Sequence, residues 1–284
     1  MVIQWYPGHM AKARREVEEK LNLVDFVIEL VDARIPFSSQ NPMLKDMIQD
    51  KPKITLLMKK DLADERETEK WLQFIRKNNA LAASVDANSK HDINRIIRMA
   101  KELKDTKLKA LNEKGVLNRS TRAMIIGIPN VGKSTLINRL AHKKATKIGD
   151  RPGITKQQLW IKIRDEFELL DTPGILWPKF SEQLVGYRLA AIGTIKDDIL
   201  PLDDIAAFVI TFLDENYPNR IQDRYNIEVD MTDMWEVFTS IGKARGALES
   251  GGTVNFDKVS KIILGDLRSG KLGKLTFETV ENKW

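Results

Sequence analysis

Cysteine is absent from the 284-residue sequence, and only three histidines occur, at positions 9, 91 and 142. The lack of cysteine excludes disulfides, thiol catalysis and zinc or iron–sulfur sites built on cysteine. The scattered histidines argue against a histidine-built metal site. No uninterrupted apolar run approaches the roughly 20 residues of a membrane-spanning helix, and the first residues lack the pattern of a signal peptide. We therefore expect a cytoplasmic protein with no membrane partner.

Positive charge is in excess, with a net charge of +6, and it is unevenly distributed. Residues 1–178 contain 33 Lys and Arg against 23 Asp and Glu, whereas residues 179–284 contain 13 against 17. A basic first part is typical of proteins that bind a polyanion such as RNA, although a basic solvated surface explains the same count.

Up to about residue 178, buried-strand patterns alternate with amphipathic helical patterns. Strands are predicted at 25–32, 53–57, 80–84 and 123–126, followed by a hairpin of 159–163 and 167–170. Helices are predicted at 11–23, 41–49, 65–78 and 91–111. This alternation predicts an α/β fold with a parallel-rich sheet that helices cover on both faces.

After residue 178 only helical periodicity remains. The predicted helices are 181–192, 202–216, 231–242 and 255–269, separated by Gly and Pro. We therefore predict two domains, an α/β domain at 1–178 and a smaller all-α domain at 179–284. Basic residues of the second domain either form one basic face or are simply solvated: Lys243, Arg245, Lys258, Lys261, Arg268, Lys271 and Lys274.

A phosphate-binding loop follows the fourth predicted strand: Gly127–Ser134 reads GIPNVGKS and fits G-x-x-x-x-G-K-[ST]. Its glycines let backbone N–H groups approach phosphates, and the next helix presents its positive end. Lys133 is predicted to bind the β- and γ-phosphates, and Ser134 to ligate Mg²⁺. The predicted nucleotide-binding residues here are Asn130, Val131, Gly132, Lys133, Ser134 and Thr135.

Asp171-Thr172-Pro173-Gly174 ends the hairpin, 37 residues after Ser134. The Asp171 carboxylate suits the water shell of Mg²⁺, and the Gly174 N–H suits a γ-phosphate. Thr155 lies between the two motifs, and we expect its hydroxyl to be a second Mg²⁺ ligand that takes part in hydrolysis. These partners predict a nucleoside triphosphatase.

Met58-Lys59-Lys60-Asp61 follows a predicted strand and fits the guanine-reading pattern Asn-Lys-x-Asp except at its first position. The aspartate of that pattern pairs with guanine N1 and N2, which adenine cannot match, and the lysine stem packs on the ring. Met58 replaces an asparagine whose amide normally hydrogen-bonds near guanine N7 and braces the loops, which a thioether cannot do. Ser84-Val85-Asp86 fits the second base loop, where N–H groups meet guanine O6. Residues 195–198 also read x-Lys-x-Asp, but they follow no strand.

The motifs stand in an unusual order, because an ordinary GTPase has its phosphate loop first and its base-reading motif last. The same sheet forms if the chain is circularly permuted, since domain termini often lie close together. The segment after Gly174 then leads directly into 179–284. We hypothesise that γ-phosphate contacts at Gly174 set the pose of that helical domain.

Over nearly its whole length the sequence resembles the YlqF-type ribosome biogenesis GTPase A family of circularly permuted bacterial GTPases. The matching motifs, in order, are Tyr6–Met10 (YPGHM), Asp32-Ala33-Arg34, Met58–Asp61, Gly127–Ser134, Pro152–Thr155 and Asp171–Gly174. The resemblance implies a circularly permuted P-loop GTPase domain followed by a helical domain that contacts ribosomal RNA.

The resemblance also implies an activity, its ligands and its partners. The activity is GTP hydrolysis coupled to a late step of assembly of the large (50S) ribosomal subunit. The ligands are GTP or GDP and Mg²⁺, with K⁺ at Asn130 as in potassium-stimulated relatives. The partners are the 50S subunit, its rRNA and its ribosomal proteins, and we expect a monomer off the ribosome.

Catalysis needs a group that orients water, and Ras-like enzymes use a glutamine just after Asp-x-x-Gly. That position is Ile175 here, which cannot orient water. The resemblance points to His9, whose neutral imidazole would orient water or accept its proton. The alternative is a nucleotide-gated RNA- or ribosome-binding module with little turnover. An ATPase is a third possibility, against which Asp61 argues.

Overall fold

We describe the fold from a computed structural model of the chain. The described residues are 9–48, 51–77, 81–112, 120–141, 160–164, 166–172, 174–177, 180 and 182–281. Within these ranges no helix has the length and apolar character needed to cross a membrane.

Six strands form one sheet in the order β3-β2-β1-β4-β6-β5. The strands are β1 (Phe26–Asp32), β2 (Lys53–Met58), β3 (Leu81–Val85), β4 (Arg122–Gly127), β5 (Trp160–Ile163) and β6 (Phe167–Asp171). Every neighbouring pair is parallel except β5 with β6, which forms the antiparallel hairpin. The predicted parallel-rich sheet and its edge hairpin are therefore confirmed.

Five helices accompany the described part of this sheet: α1 (His9–Leu21), α2 (Pro42–Ile48), α3 (Glu65–Lys77), α4 (Lys90–Asn112) and α5 (Lys133–Leu140). All seven residues of β1 are buried, as expected of a central parallel strand. Helix α3 packs Trp71, Leu72 and Ile75 into a core cluster with strand residues. Its apolar residues recur at helical spacing, which is why its sequence predicts its position.

Among the described residues, the remaining α-helices are α6 (Gln183–Ala191), α7 (Leu202–Asn216), α8 (Arg220–Tyr225), α9 (Met234–Arg245) and α10 (Phe256–Arg268). Asp233 caps α9 and Asn255 caps α10, because each side chain accepts a hydrogen bond from the N–H three residues on. Arg268 donates to the carbonyls of Ala190 and Ala191, at 2.9 and 3.0 Å, and pairs with Asp197 at 2.8 Å. These contacts give Arg268 a role in packing within the helical unit.

The chain divides into two compact units, one containing Phe180–Phe277 and the other Gln4–Lys179 together with Glu278–Trp284. The C-terminal residues thus group with the sheet, whereas the sequence pattern placed all of 179–284 in the helical domain. The Glu278 carboxylate, 1% exposed, accepts the N–H groups of Phe37 and Ser38, at 2.6 and 3.0 Å, and the Ser38 hydroxyl. Its carbonyl accepts the indole N–H of Trp71 at 2.9 Å.

Candidate nucleotide-binding site

The phosphate loop connects β4 to α5, as predicted. Gly132 is the N-cap of α5 and has a φ of +107°, in the left-handed region that favours glycine. Gly127 is required for a different reason, since a β-carbon there would lie 2.8 Å from the Leu30 carbonyl oxygen. The loop therefore brings its backbone N–H groups to the start of a helix, which is an anion-binding arrangement.

Lys133 begins α5 and is 6% exposed. Its ammonium donates to the carbonyls of Gly127 and Ile128, at 3.3 and 3.4 Å. Burial lowers the pKa of Lys133 to about 8, and the negative charge of Asp171 partly opposes this shift. Ser134 and Thr135 follow in the first turn of α5, where main-chain N–H groups have no helical partner.

Asp171 ends β6 and is almost completely buried. Its Oδ1 atom has no hydrogen-bond partner within the part of the chain that the structure describes. Burial raises the pKa of Asp171 to about 6, and the positive charge of Lys133 opposes this rise. A buried carboxylate oxygen without a partner is costly unless a ligand or water satisfies it.

Mg²⁺ fits this donor set. No group of three or more His, Cys, Asp or Glu side chains gathers into a metal site among the described residues. Mg²⁺ does not need one, because it is usually bound through one or two protein oxygens, waters and substrate phosphates. The unsatisfied Oδ1 of Asp171 and the hydroxyl of Ser134 provide such oxygens beside the phosphate loop.

Gly174 lies directly against the phosphate loop. A β-carbon at this position would lie 2.8 Å from the Cα of Pro129 and 3.0 Å from the Nζ of Lys133. The next residue, Ile175, is 3% exposed, and its carbonyl accepts a hydrogen bond from Asn41 at 3.0 Å. Ile175 is thus held in the core and has no group that orients water.

The base-reading loop leaves the end of β2. Met58 is 1% exposed, and a β-carbon on Gly132 would lie 3.6 Å from its Cε methyl. The next residue, Lys59, has a φ of +59°, which is uncommon for a residue with a side chain. Asp61 is exposed to solvent, so its carboxylate is accessible to a base that binds at this surface.

The second base loop is tied to the first. Ser84 and Val85 end β3, and the Val85 carbonyl accepts the N–H of Lys60 at 3.3 Å. The carboxylate of Asp92 accepts from the ammonium of Lys60 at 2.6 Å and from the N–H of Asp86 at 2.9 Å. Asp92 therefore fixes both base loops to the start of α4.

The parallel topology brings these motifs together. Strands β2, β3, β4 and β6 run parallel, so the residues at their carboxyl ends meet at one edge of the sheet. Ligands of open α/β sheets bind at that edge. It carries the base loops, the phosphate loop and Asp171, which is the arrangement that binds a whole nucleotide.

The roles of the predicted site residues stay predictions, and the structure does not describe the side chains of two of them. His9 begins α1, but its side chain is outside the described residues. Thr155 also lies outside them. Sequence patterns assigned no role to the side chains of Asp92 and Asp32, and both form ion pairs with lysines of the base loop, Asp92 with Lys60 and Asp32 with Lys59. Each pairs across a large sequence separation, so no local pattern could have identified it.

Known proteins are similar in sequence to this chain over nearly its full length. Residues 122–238 match a family described as 50S ribosome-binding GTPase. The chain is 53% identical over 281 residues, 99% of its length, to ribosome biogenesis GTPase A of Bacillus cereus, and covers 95% of that protein. It is 33% identical over 281 residues to ribosome biogenesis GTPase A of Thermotoga maritima, again covering 95% of that protein.

Solved structures share the fold. A GNP-bound structure of YlqF from T. maritima matches with a TM-score of 0.66 and 27% identity, covering 95% of this chain and 99% of that one. A GDP-bound YlqF structure matches with the same TM-score and 26% identity, covering 94% of this chain and 100% of that one. The predicted circularly permuted GTPase fold is therefore confirmed.

Proposed function

Because the chain belongs to the ribosome biogenesis GTPase A family, we propose that it couples GTP hydrolysis to a late step of 50S subunit assembly in the cytoplasm. As a member of this family it is a GTP hydrolase with a role in ribosome biogenesis, and it binds GTP and GDP. The observation that carries the proposal is the common sheet edge, at which permuted base loops and the phosphate loop meet.

The guanine base is read by the loops after β2 and β3. The exposed carboxylate of Asp61 accepts from guanine N1 and N2, the stem of Lys59 packs on the ring, and Lys60 holds the loop to Asp92. The N–H groups of Ser84 and Val85 face guanine O6, whereas the N–H of Asp86 is bound to Asp92 and holds the loop in place. Met58 gives only apolar packing beside Gly132.

The phosphates are held by the loop from Asn130 to Thr135. Lys133 exchanges its two weak carbonyl contacts for phosphate oxygens, which are better partners for an ammonium. Ser134, Asp171 and Thr155 would hold Mg²⁺, which neutralises charge on the phosphates when it is bound. A monovalent K⁺ at Asn130 is a further part of the proposal.

Hydrolysis requires a water-orienting group, and the buried Ile175 is not one. We assign this role to His9, which would orient the attacking water or accept its proton. Docking on the ribosomal particle would bring His9 and Thr155 to the γ-phosphate, so turnover of the free chain is slow. Since Gly174 contacts the phosphate loop and the chain then continues to the helical unit, γ-phosphate binding is the signal that sets the pose of that unit.

The helical unit is the proposed contact with rRNA. It contains a cavity of about 470 Å³, whose basic lining residues are Arg224, Arg245, Lys261 and Lys271. Asp266 also lines the cavity and pairs with Arg224 and Lys271, at 2.9 and 3.2 Å. Arg268 is not a lining residue and pairs instead with Asp197. The remaining partners are ribosomal proteins, and the chain is a monomer when it is off the ribosome.

The test is Mg²⁺-dependent phosphate release with and without 50S particles. We expect particles to raise turnover at least about tenfold, and His9→Ala to remove most of that increase while GDP affinity is kept. Gln73→Ala is the control, because that side chain is exposed on α3. If 50S particles bind the chain but do not raise its GTP turnover, the chain is instead a nucleotide-gated binding module. Met58 and Ile175 favour this alternative. If they do not bind, the ribosomal role is wrong.

A further inference from the structure

Asp32, at the end of β1, holds the lysine of the base-reading loop. Its side chain is fully buried, and its Oδ2 atom lies 3.1 Å from the Nζ of Lys59. The same carboxylate is held by Arg34, which donates to Oδ1 from its N–H and Nε, at 3.0 and 2.9 Å, and to Oδ2 from Nη2 at 2.8 Å. Arg34 is itself 1% exposed, so these contacts are shielded from solvent.

The carboxylate of Asp32 is ionised. Burial alone would raise its pKa, but the charges of Arg34 and Lys59 and the hydrogen bonds from Arg34 hold the pKa well below its ordinary value. A buried carboxylate with these partners accepts charge-assisted hydrogen bonds, which are short and directional. Asp32 therefore fixes the position of the Lys59 ammonium rather than only attracting it.

Lys59 needs this support because its backbone is strained. A φ of +59° places a long side chain in the left-handed region, which costs free energy. The left-handed conformation also has a function, since it turns the loop so that the Lys59 stem and Asp61 both lie at the sheet edge. The described contacts that keep this geometry include the Asp32 ion pair and two hydrogen bonds. The Leu62 N–H donates to the Lys59 carbonyl at 2.9 Å, and the Lys60 N–H donates to the Val85 carbonyl at 3.3 Å.

The residue that ordinarily braces such a loop is missing. At position 58 the guanine-reading pattern has an asparagine amide, and this chain has a thioether. The Met58 backbone is tied to β1, because its carbonyl accepts the N–H of Ala33 at 2.9 Å. Its side chain provides only a methyl beside Gly132 and no strong donor or acceptor.

We propose that Asp32, held by Arg34, is the positioning residue for guanine-nucleotide binding, and that its ion pair with Lys59 replaces the brace that Met58 cannot provide. Two strands share the task. Lys59, directly after β2, packs on the base, and the carboxylate of Asp32 at the end of β1 sets the direction of the lysine side chain. This inference rests on the proposed guanine recognition and goes beyond it by naming the residues that hold the loop.

The chain contains a matched control for a merely structural ion pair. Glu29, also on β1 and 4% exposed, lies 2.7 Å from Lys53 at the start of β2. This pair joins the same two strands at the end away from the base loop. Glu29→Gln should therefore lower thermal stability, as a strand-joining pair does, and leave GDP affinity unchanged.

The experiment is calorimetric titration of GDP into the full chain, Asp32→Asn, Met58→Asn and the double variant. We expect Asp32→Asn to weaken GDP binding about tenfold in the chain as it stands. In the Met58→Asn background the loss should be less than about threefold, because the introduced asparagine supplies the missing amide. A purely structural role of Asp32 would not produce this coupling between positions 32 and 58. Equal losses in both backgrounds, or no loss in either, would overturn the proposal.

Asp32→Asn leaves Arg34 buried without its carboxylate and so risks failing to fold. Lys59→Met answers the same question, because it keeps the aliphatic stem and leaves Asp32 paired with Arg34. Its loss of GDP affinity should also shrink when Met58 is changed to Asn, and an undiminished loss would again overturn the proposal. If the unsubstituted chain binds no GDP, guanine recognition itself fails, which is a different result from GDP binding without coupling.

Discussion

The ammonium of Lys133 and the carboxylate of Asp171 stabilise each other's charge in a buried site that otherwise disfavours both. Burial lowers the pKa of Lys133 to about 8 and raises that of Asp171 to about 6, and each partner's charge opposes the effect of burial on the other. Around pH 7 both groups are therefore mostly ionised. This is the state that phosphates and Mg²⁺ require, and it exists before a nucleotide binds.

GDP binding at pH 8.5 should take up part of a proton, because Lys133, with its pKa lowered to about 8, is then partly neutral. Contact with phosphates raises that pKa again, so the bound lysine is charged. The uptake should fall as the pH drops from 8.5 towards 7, where Lys133 of the free chain already carries the proton. Calorimetry in buffers of different ionisation enthalpy measures it, with Lys133→Arg as the control, since arginine stays protonated. An uptake near zero at pH 8.5 would contradict this account of the site.

Gly174→Ala should lower GTP turnover roughly a hundredfold, because the added methyl would lie 2.8 Å from the Pro129 Cα and displace the phosphate loop. The measurement is phosphate release at saturating Mg²⁺ and GTP. Gly265→Ala is the matched control, since a β-carbon there meets nothing within 4 Å in helix α10. That variant should gain about 0.5–1 kcal/mol of stability and keep its turnover. Normal turnover in Gly174→Ala would mean that the loop does not depend on this close contact.

Asp61→Asn should exchange guanine preference for xanthine preference. A carboxylate accepts from both N1–H and N2–H of guanine, whereas an amide offers one acceptor and one donor, which match N1–H and O2 of xanthine. We expect GDP affinity to fall about a hundredfold and XDP affinity to rise. Asp64→Asn is the control, because that carboxylate caps α3 through the N–H groups of Arg66 and Glu67. If Asp61→Asn bound GDP as before, Asp61 would not read the base.

Glu278→Ala should open the segment after Arg34, because it leaves the buried N–H groups of Phe37 and Ser38 without their acceptor. Losing these hydrogen bonds to a charged group costs roughly 3 kcal/mol locally. Hydrogen exchange of the Phe37 and Ser38 amides measures this directly and does not require two-state unfolding. The exposed Glu281, changed to Ala, should leave both amides as protected as before. Unchanged protection in Glu278→Ala would show that the C-terminal residues do not hold this segment.

Local patterns in the sequence predicted the strands, most helices and the phosphate loop, because burial alternation, helical periodicity and glycine placement are all short-range signals. Helix α7 was predicted with its observed bounds. Helix α8 was missed, since its six residues are too few to show a helical period. The ion pairs Asp32–Lys59 and Lys60–Asp92 and the Glu278–Ser38 contact were missed for another reason. Each joins residues far apart in sequence, and their pairing depends on the strand order that the fold creates.

The most direct test of the central claim is the affinity of the chain for GDP and for ADP, measured by calorimetry with Mg²⁺. The permuted base loops predict that GDP binds at least about a hundredfold more tightly, because a site built to accept from guanine N1 and N2 leaves polar groups unpaired against adenine. Met58→Asn should keep that preference. Equal affinity for GDP and ADP in both proteins would contradict the guanine site and the GTP-dependent ribosomal function that rests on it.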